Sequence, residues 1–420
     1  MRFVRISAEI CVYCKGYKKL CGLDQCPLKV RLNAVHKTMR YLMLSNSKEF
    51  FGFTPPSGVI GEKGYPEVAL LYSIPPEDDE SRAKTYDDPV RWWGSYSLEK
   101  IIEMRSKMIS GIIRVNVNKP ERLLEKEISL ALISEKPVDS EMRLKNFPRL
   151  LTPIDPFDPP RGLGADAESI RIVDNPHISK SVEKILNEDL KASEAVKILY
   201  RDGVDIYRIQ KIFSLGLLGR HYKKLVPTRW AITAIDAIIS NMLLRKIRGY
   251  PEIQDVMFFK TSYLGNRFWI LMIPGAYTFN WIEIWHPNTI YTKNSLEPLI
   301  IENSENWHGV ADYMDGGYQA ARISVLEYLE RIGRKASVIV VREITPEYYA
   351  PVGNWHIRES VKNALKSSPI KLGSLDEGLD LIKKDLGQKL GDLVFKKESS
   401  KMMIFRNHLN RKLDEYFKKS

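Results

Sequence analysis

The sequence predicts an α+β fold, with mixed helices and antiparallel sheet. Three observations lead there. Apolar residues recur at helical spacing in long segments, most plainly Thr228–Ile247, with Ile232, Ile235, Ile239 and Leu243 on one face. Short apolar runs such as Glu67–Ile74 and Phe268–Ile273 read as buried strands between turn signals. Helices and strands also follow one another irregularly, without the strict alternation of a parallel α/β sheet. At 420 residues, 44% hydrophobic and 28% charged, the chain is long enough for two or three domains. No fixed-period repeat is present, which excludes a solenoid.

Taken in order, Pro27–Leu44 reads as a helix opened by proline, with Val30, Ala34 and Val35 among basic residues. An aromatic, Gly- and Pro-rich loop, Phe50–Pro66, precedes the strand Glu67–Ile74. Pro75–Pro89 is an acidic solvated loop, Leu98–Met108 a helix, and Gly111–Val117 a strand. Thr152–Gly164 is read as irregular, because its prolines remove donors and fix φ. Helices are expected at Ser179–Asn187, Ala192–Tyr200, Val204–Ser214 and Thr228–Ile247. Val256–Lys260, Phe268–Ile273 and Trp281–Trp285 read as three consecutive antiparallel strands. A long helix, Val310–Ile332, precedes the strand Ala336–Val341; Asn354–Lys366 and the segment from Ser374 are helical.

All four cysteines fall within sixteen positions: Cys11, Cys14, Cys21 and Cys26, spaced C-x2-C-x6-C-x4-C. Four soft thiolates close a tetrahedral shell around Zn(II), leaving no open position for catalysis. The expectation is one structural zinc ion in a knuckle. Reduced thiols buried as small hydrophobes, or a disulfide pair, are the alternatives; basic neighbours and the lack of an apolar leader segment count against them. No apolar run is long enough to cross a bilayer, so a cytoplasmic, nucleoid-associated protein with no membrane partner is expected.

Lys and Arg total 64 against 52 Asp and Glu, a formal charge of +12, which suits a polyanionic partner such as DNA or a nucleotide. Candidate phosphate contacts are His221, Thr228, Arg229, Arg322, Arg342, Glu343 and Arg358. Thr228, Arg229 and Trp230 stand where a loop enters a helix, whose unpaired N–H groups favour phosphate. Thr228 reads equally as a helix cap. His221 lies in a basic run with Arg220, Lys223 and Lys224. Arg342, Glu343 and Arg358 crowd around one strand end, as a ligand site or as a buried Arg–Glu network. No P-loop, G-x-S-x-G or H-E-x-x-H pattern occurs, so no catalytic group is assigned.

Several blocks resemble the archaeal Nre family of DNA repair proteins. They are CVYCKGYKKLCGLDQCP, FTPPSGVIGEKGYP, LVPTRWAITAID, GGYQAARISVLE and REITPEYYAPVGNWHIRE, which together span nearly the whole chain. The resemblance implies a zinc finger over 1–30, an N-terminal family domain over 31–295, a C-terminal one over 296–400 and a tail over 401–420. It also implies a DNA-repair role and, for members with the right tail, docking on the sliding clamp PCNA.

Asn410, Leu413, Tyr416 and Phe417 follow the order N-x-x-L-x-x-Y-F, close to the Q-x-x-(L/I/M)-x-x-(F/Y)-(F/Y) of clamp-binding peptides. One helical turn places the three apolar residues on one side as a plug. Asn410 is one methylene shorter than the usual Gln. The same residues also read as the apolar face of a packed helix. The leading functional expectation is a clamp-recruited, DNA-contacting repair protein. The alternative is a nucleotide- or phosphodiester-processing enzyme whose pocket gathers Arg229, Arg322, Arg342 and Glu343.

Overall fold

A computed structural model describes residues 14, 18–20, 26–45, 47–55, 57–77, 79–151, 161–220, 223–292, 295–306 and 314–395. The architecture is α+β, in two compact units. One comprises the chain to Ile239 with Tyr349–His356; the other comprises Ser240–Tyr348 and the chain from Ile357.

The first unit opens with helix α1 (Pro27–Ser45), started by Pro27, which needs no amide donor there. Its strands are β1 (Glu49–Thr54), β2 (Gly58–Ile60), β3 (Glu67–Ile74), β4 (Ile109–Asn116), β5 (Val138–Leu144), β6 (Arg149–Leu150) and β7 (Leu163–Ile172). They form one sheet in the order β1-β5-β7-β4-β3-β2, with β6 beside β7. The β4–β7 pair is parallel and the other pairs are antiparallel. Helix α2 (Leu98–Lys107) packs on α1, its N-terminus capped by the Ser97 hydroxyl on the Lys100 amide. A polar seam threads the sheet: Tyr72 and Ser140 hydroxyls meet at 2.6 Å, and those of Ser73 and Ser110 at 2.8 Å. Helices α3 (Ile128–Ile133), α4 (Lys180–Leu186), α5 (Ala192–Arg201) and α6 (Ile206–Ser214) follow, and then the long α7 (Thr228–Ile247). The division between the units falls inside α7.

The second unit is built on β8 (Val256–Tyr263), β9 (Asn266–Ile273), β10 (Thr278–Trp285), β11 (Leu299–Glu305), β12 (Ser337–Ile344) and β13 (Ile370–Leu372). Their order is β11-β10-β12-β9-β8-β13. The β8–β9 hairpin closes through Leu264 and Gly265, both at positive φ, the two-residue turn that matches strand twist. A Cβ at Gly265 would stand 2.7 Å from the Tyr348 amide nitrogen, so glycine is required there. Helix α8 (Gly316–Ile332) covers one sheet face. It starts at an Asp315 cap, whose carboxylate accepts from the Tyr318 amide at 2.7 Å, and ends at Gly333. Helix α9 (Trp355–Ala364) follows β12. Helices α10 (Leu375–Leu386) and α11 (Gln388–Val394) cover the opposite face, packing Leu379, Ile382, Leu386 and Val394 on Leu271, Ile284 and Val341.

Three expectations need correction. Of the three strands read as consecutive antiparallel neighbours, β8 and β9 are so paired, but β12 inserts between β9 and β10 and runs parallel to β10. The β10–β12 crossover leaves no signal in local spacing. The loop expected through Gly164 is already strand from Leu163, as β7; residues 152–160 of that loop lie outside the described ones. The helix expected from Val310 starts at Gly316, because Asp315 caps it; residues 307–313 also lie outside the described ones.

Candidate functional site

In the first unit, α7 begins against the loop that precedes β3. The Ile60 amide donates to the Thr228 hydroxyl at 2.9 Å, so that hydroxyl ties the end of β2, where the loop begins, to the helix start. Helical spacing turns Ala231, Ile235 and Ile239 inward and leaves Arg229 and Trp230 outside. Both are steadied by one carboxylate. Arg229 donates to Glu62 Oε1 at 3.2 Å and the Trp230 indole N–H to Oε2 at 3.1 Å. The Trp230 ring lies 6.1 Å from that of Tyr65, tilted by 35°. Tyr65 is 53% exposed and Trp230 51%, two large rings held side by side in water. The Arg229 side chain is 82% exposed, so its ion pair with Glu62 contributes little and yields readily to another anion. Lys63, Arg220, Lys223 and Lys224 are exposed on the flanking segments.

In the second unit, consecutive residues of β12 point to opposite faces, as strand geometry demands. Arg342 stands beside Glu283 across the β10–β12 pair and donates to it at 2.8 Å, with a second bond to Asn266 at 2.9 Å. Phe268, Trp285 and Tyr348 surround its guanidinium at 5.5–6.0 Å. Burial pushes Glu283 up; Arg342 draws it back and Asp315 adds to the rise. On that same face Arg322 donates to Glu305 at 2.7 Å, and the Tyr277 hydroxyl to the same carboxylate at 2.6 Å. Arg358 is fully buried in α9, where its carbonyl accepts from Ser324.

Glu343 faces the other way. It takes two bonds from Arg267, one of them at 2.7 Å, and lies 2.7 Å from His286 Nε2. Burial raises its carboxyl, but hydrogen bonds and charge from His286 and Arg267 outweigh this, so it ends below the usual range.

The sequence-derived candidates thus separate. Thr228 and Arg229 form part of an exposed helix-start surface. Arg322 and Arg342 are buried and neutralised by carboxylates within their own unit, and Arg358 is buried too. Arg342 and Glu343 do not share a pocket, because alternation along β12 parts them. His221, Cys11, Cys21, Asn410, Leu413, Tyr416 and Phe417 lie outside the described residues. Cys14 is buried and Cys26 partly so; among the described residues no group of three His, Cys, Asp or Glu could hold a metal. Sequence reasoning missed Glu62, Tyr65, Glu283, Glu305 and Arg267, whose partners lie far away in the chain.

Glu343 makes the protein acid-sensitive. Its folded value lies below that of a free glutamate, about 4.3. Its stabilisation is complete above that value and is lost as pH falls through the folded value. Glu343→Gln should lower unfolding free energy at pH 7 by about 3 kcal/mol, the low end for a broken buried pair because Arg267 reaches solvent. The gap from the parent should narrow in denaturant titrations as pH falls below the free-glutamate value of about 4.3. A gap independent of pH would contradict this.

Comparison with known proteins follows the same lines. The model described as Archaeal Nre, N-terminal matches residues 20–292, and that described as Archaeal Nre, C-terminal matches 302–416. The chain is 35% identical over 400 residues to DNA repair protein NreA of Archaeoglobus fulgidus, covering 94% of this chain and 98% of that one. DNA repair protein NreB of the same organism is 32% identical over 390 residues, 92% and 95% of the two chains. DNA repair protein NreA of Haloferax volcanii is 30% identical over 356 residues, 82% and 84%. No solved structure matches.

Proposed function

This chain belongs to the archaeal Nre family, and from that premise we propose that it is a DNA-repair protein that contacts unpaired DNA at the start of α7. The carrying observation is the pair of half-exposed rings, Tyr65 and Trp230, beside the exposed guanidinium of Arg229. Every base has a π-face, so such rings hold single strands with little regard to sequence. Arg229 exchanges its solvated carboxylate partner for phosphate at small cost. The DNA-repair names of the relatives and the charge of +12 support the reading.

Single-stranded oligothymidylate is the direct probe. Trp230→Ala and Tyr65→Ala should each weaken binding by roughly 1–3 kcal/mol. Arg229→Ala should reduce the slope of log affinity against log salt by about 0.7. Wild-type affinity in all three variants would remove this surface from the interface.

Two further parts belong to the same proposal. Cys11, Cys14, Cys21 and Cys26 offer a donor set whose softness and number fit one structural Zn(II). The Cys14 and Cys26 carbonyls each accept from the amide a few residues on, from Lys18 and Lys29 at 3.2 Å, so the chain turns after both. Metal analysis of protein purified without chelators should return one zinc per chain, lost in Cys11→Ser and Cys26→Ser. A metal-free wild type would end the claim.

Asn410, Leu413, Tyr416 and Phe417 are proposed as the plug for the sliding clamp. Deleting Asn410–Ser420 should abolish clamp binding in a pull-down and leave the melting temperature unchanged. A large loss of stability would instead assign these residues to a packed helix.

A further inference from the structure

The carboxyl ends of β10 and β12, a parallel pair, carry a second cluster of titratable groups. His286 is the first residue after β10 and Glu343 the last but one of β12. The His286 position is firmly built. Its amide donates to the Ile344 carbonyl at 3.0 Å, and its carbonyl accepts from the Thr292 hydroxyl. The Thr289 and Thr292 hydroxyls meet at 2.6 Å, and Asn288 turns the chain at a φ of +61°.

Glu343 is wholly buried and ionised at neutral pH, for the reasons given above. Its Oε1 lies 2.7 Å from Nε2 and accepts its proton, which orients the ring and turns Nδ1 away from the carboxylate. Nδ1 then has no hydrogen-bond partner among the described residues, on a side chain 30% exposed. Arg267 is 41% exposed beside the same carboxylate and is held over the Trp269 ring at 5.2 Å. A second carboxylate, Asp385, lies below its usual range: burial raises it, and bonds from Trp269 and Lys260 more than reverse this. A second His–Glu–Arg group, His177, Glu135 and Arg208, shows what an ordinary surface version looks like. There the glutamate is 37% exposed and the histidine 59%, against 0% and 30% here.

We propose that His286 is the proton acceptor of a hydrolytic centre acting on phosphate esters, with Glu343 as its positioning residue. The Thr289 and Thr292 hydroxyls are already bonded, so the attacking group is water. Nδ1 takes a proton from water as its oxygen forms a bond to phosphorus. The bond from phosphorus to the leaving oxygen breaks, and that oxygen keeps the electron pair. The imidazolium returns the proton to it, so ester and water give phosphate and alcohol with His286 restored. The half-exposed Arg267 places positive charge beside the reacting phosphoryl group. The choice of a phosphate substrate rests on the DNA reading above.

The test uses the full chain and bis(p-nitrophenyl) phosphate, following p-nitrophenol release. The parent should turn over, releasing p-nitrophenol. His286→Ala should lose about 10²–10⁴-fold. Added imidazole should restore part of that loss, which a structural role for His286 would not allow. Absence of turnover in the parent, or turnover unchanged in a folded His286→Ala, overturns the proposal. Oligothymidylate affinity reads only the DNA surface and p-nitrophenol release only this centre, so failure of one is distinguishable from failure of the other.

Discussion

Two charged residues in succession inside a fully buried strand impose the arrangement of the second unit. Arg342 and Glu343 cannot both be left unpaired in a low-dielectric interior, because each bare charge would cost several kcal/mol. Nor can they pair with each other, since alternation sends them to opposite faces. Each face must therefore supply its own partner. Glu283 and Asn266 do so beneath α8, and Arg267 with His286 on the side of α10. These bonds fix β12 between β9 and β10, because a one-residue slip would exchange the faces and leave four charges unmatched. The register of the sheet and its electrostatics are one constraint.

That constraint divides the arginines by role. Arg322 and Arg342 of the second unit are consumed by buried carboxylates, and Arg342 is enclosed by aromatic rings as well. Removing one would leave a buried partner uncompensated, a stability effect that would masquerade as lost function. Arg229 is different. It meets its carboxylate in solvent, and its neighbours are two rings that gain nothing from being in water. Exposed aromatic area beside an inexpensive cation is a surface shaped for a ligand carrying both flat faces and negative charge.

Much of this was legible in the sequence. The bounds of Glu67–Ile74 and Thr228–Ile247 follow from an apolar run and from helical spacing, and the structure reproduces them. Thr228, Arg229 and Trp230 were visible as a helix start. Strands β5 and β7 were not, because VDSEMRL and LGADAESIRI carry charged residues on a solvated face and lack an apolar run. The insertion of β12 was equally hidden, since Trp281 pairs with Val340 across 59 positions of chain, through an intervening strand and helix. The same distance hid the site partners. Glu62 meets Trp230 from 168 residues away and Glu343 meets His286 from 57, so spacing alone pointed to neighbours in sequence that the strand pleat separates.

The claim that most needs direct contact evidence is the place where DNA touches the chain. Ultraviolet cross-linking of a single-stranded oligonucleotide to the full-length protein, followed by peptide mass spectrometry, reads that place without a substitution. The account predicts cross-linked nucleotide on peptides holding Tyr65 and Trp230. Cross-links confined to other segments, with both aromatic peptides recovered unmodified, would contradict it.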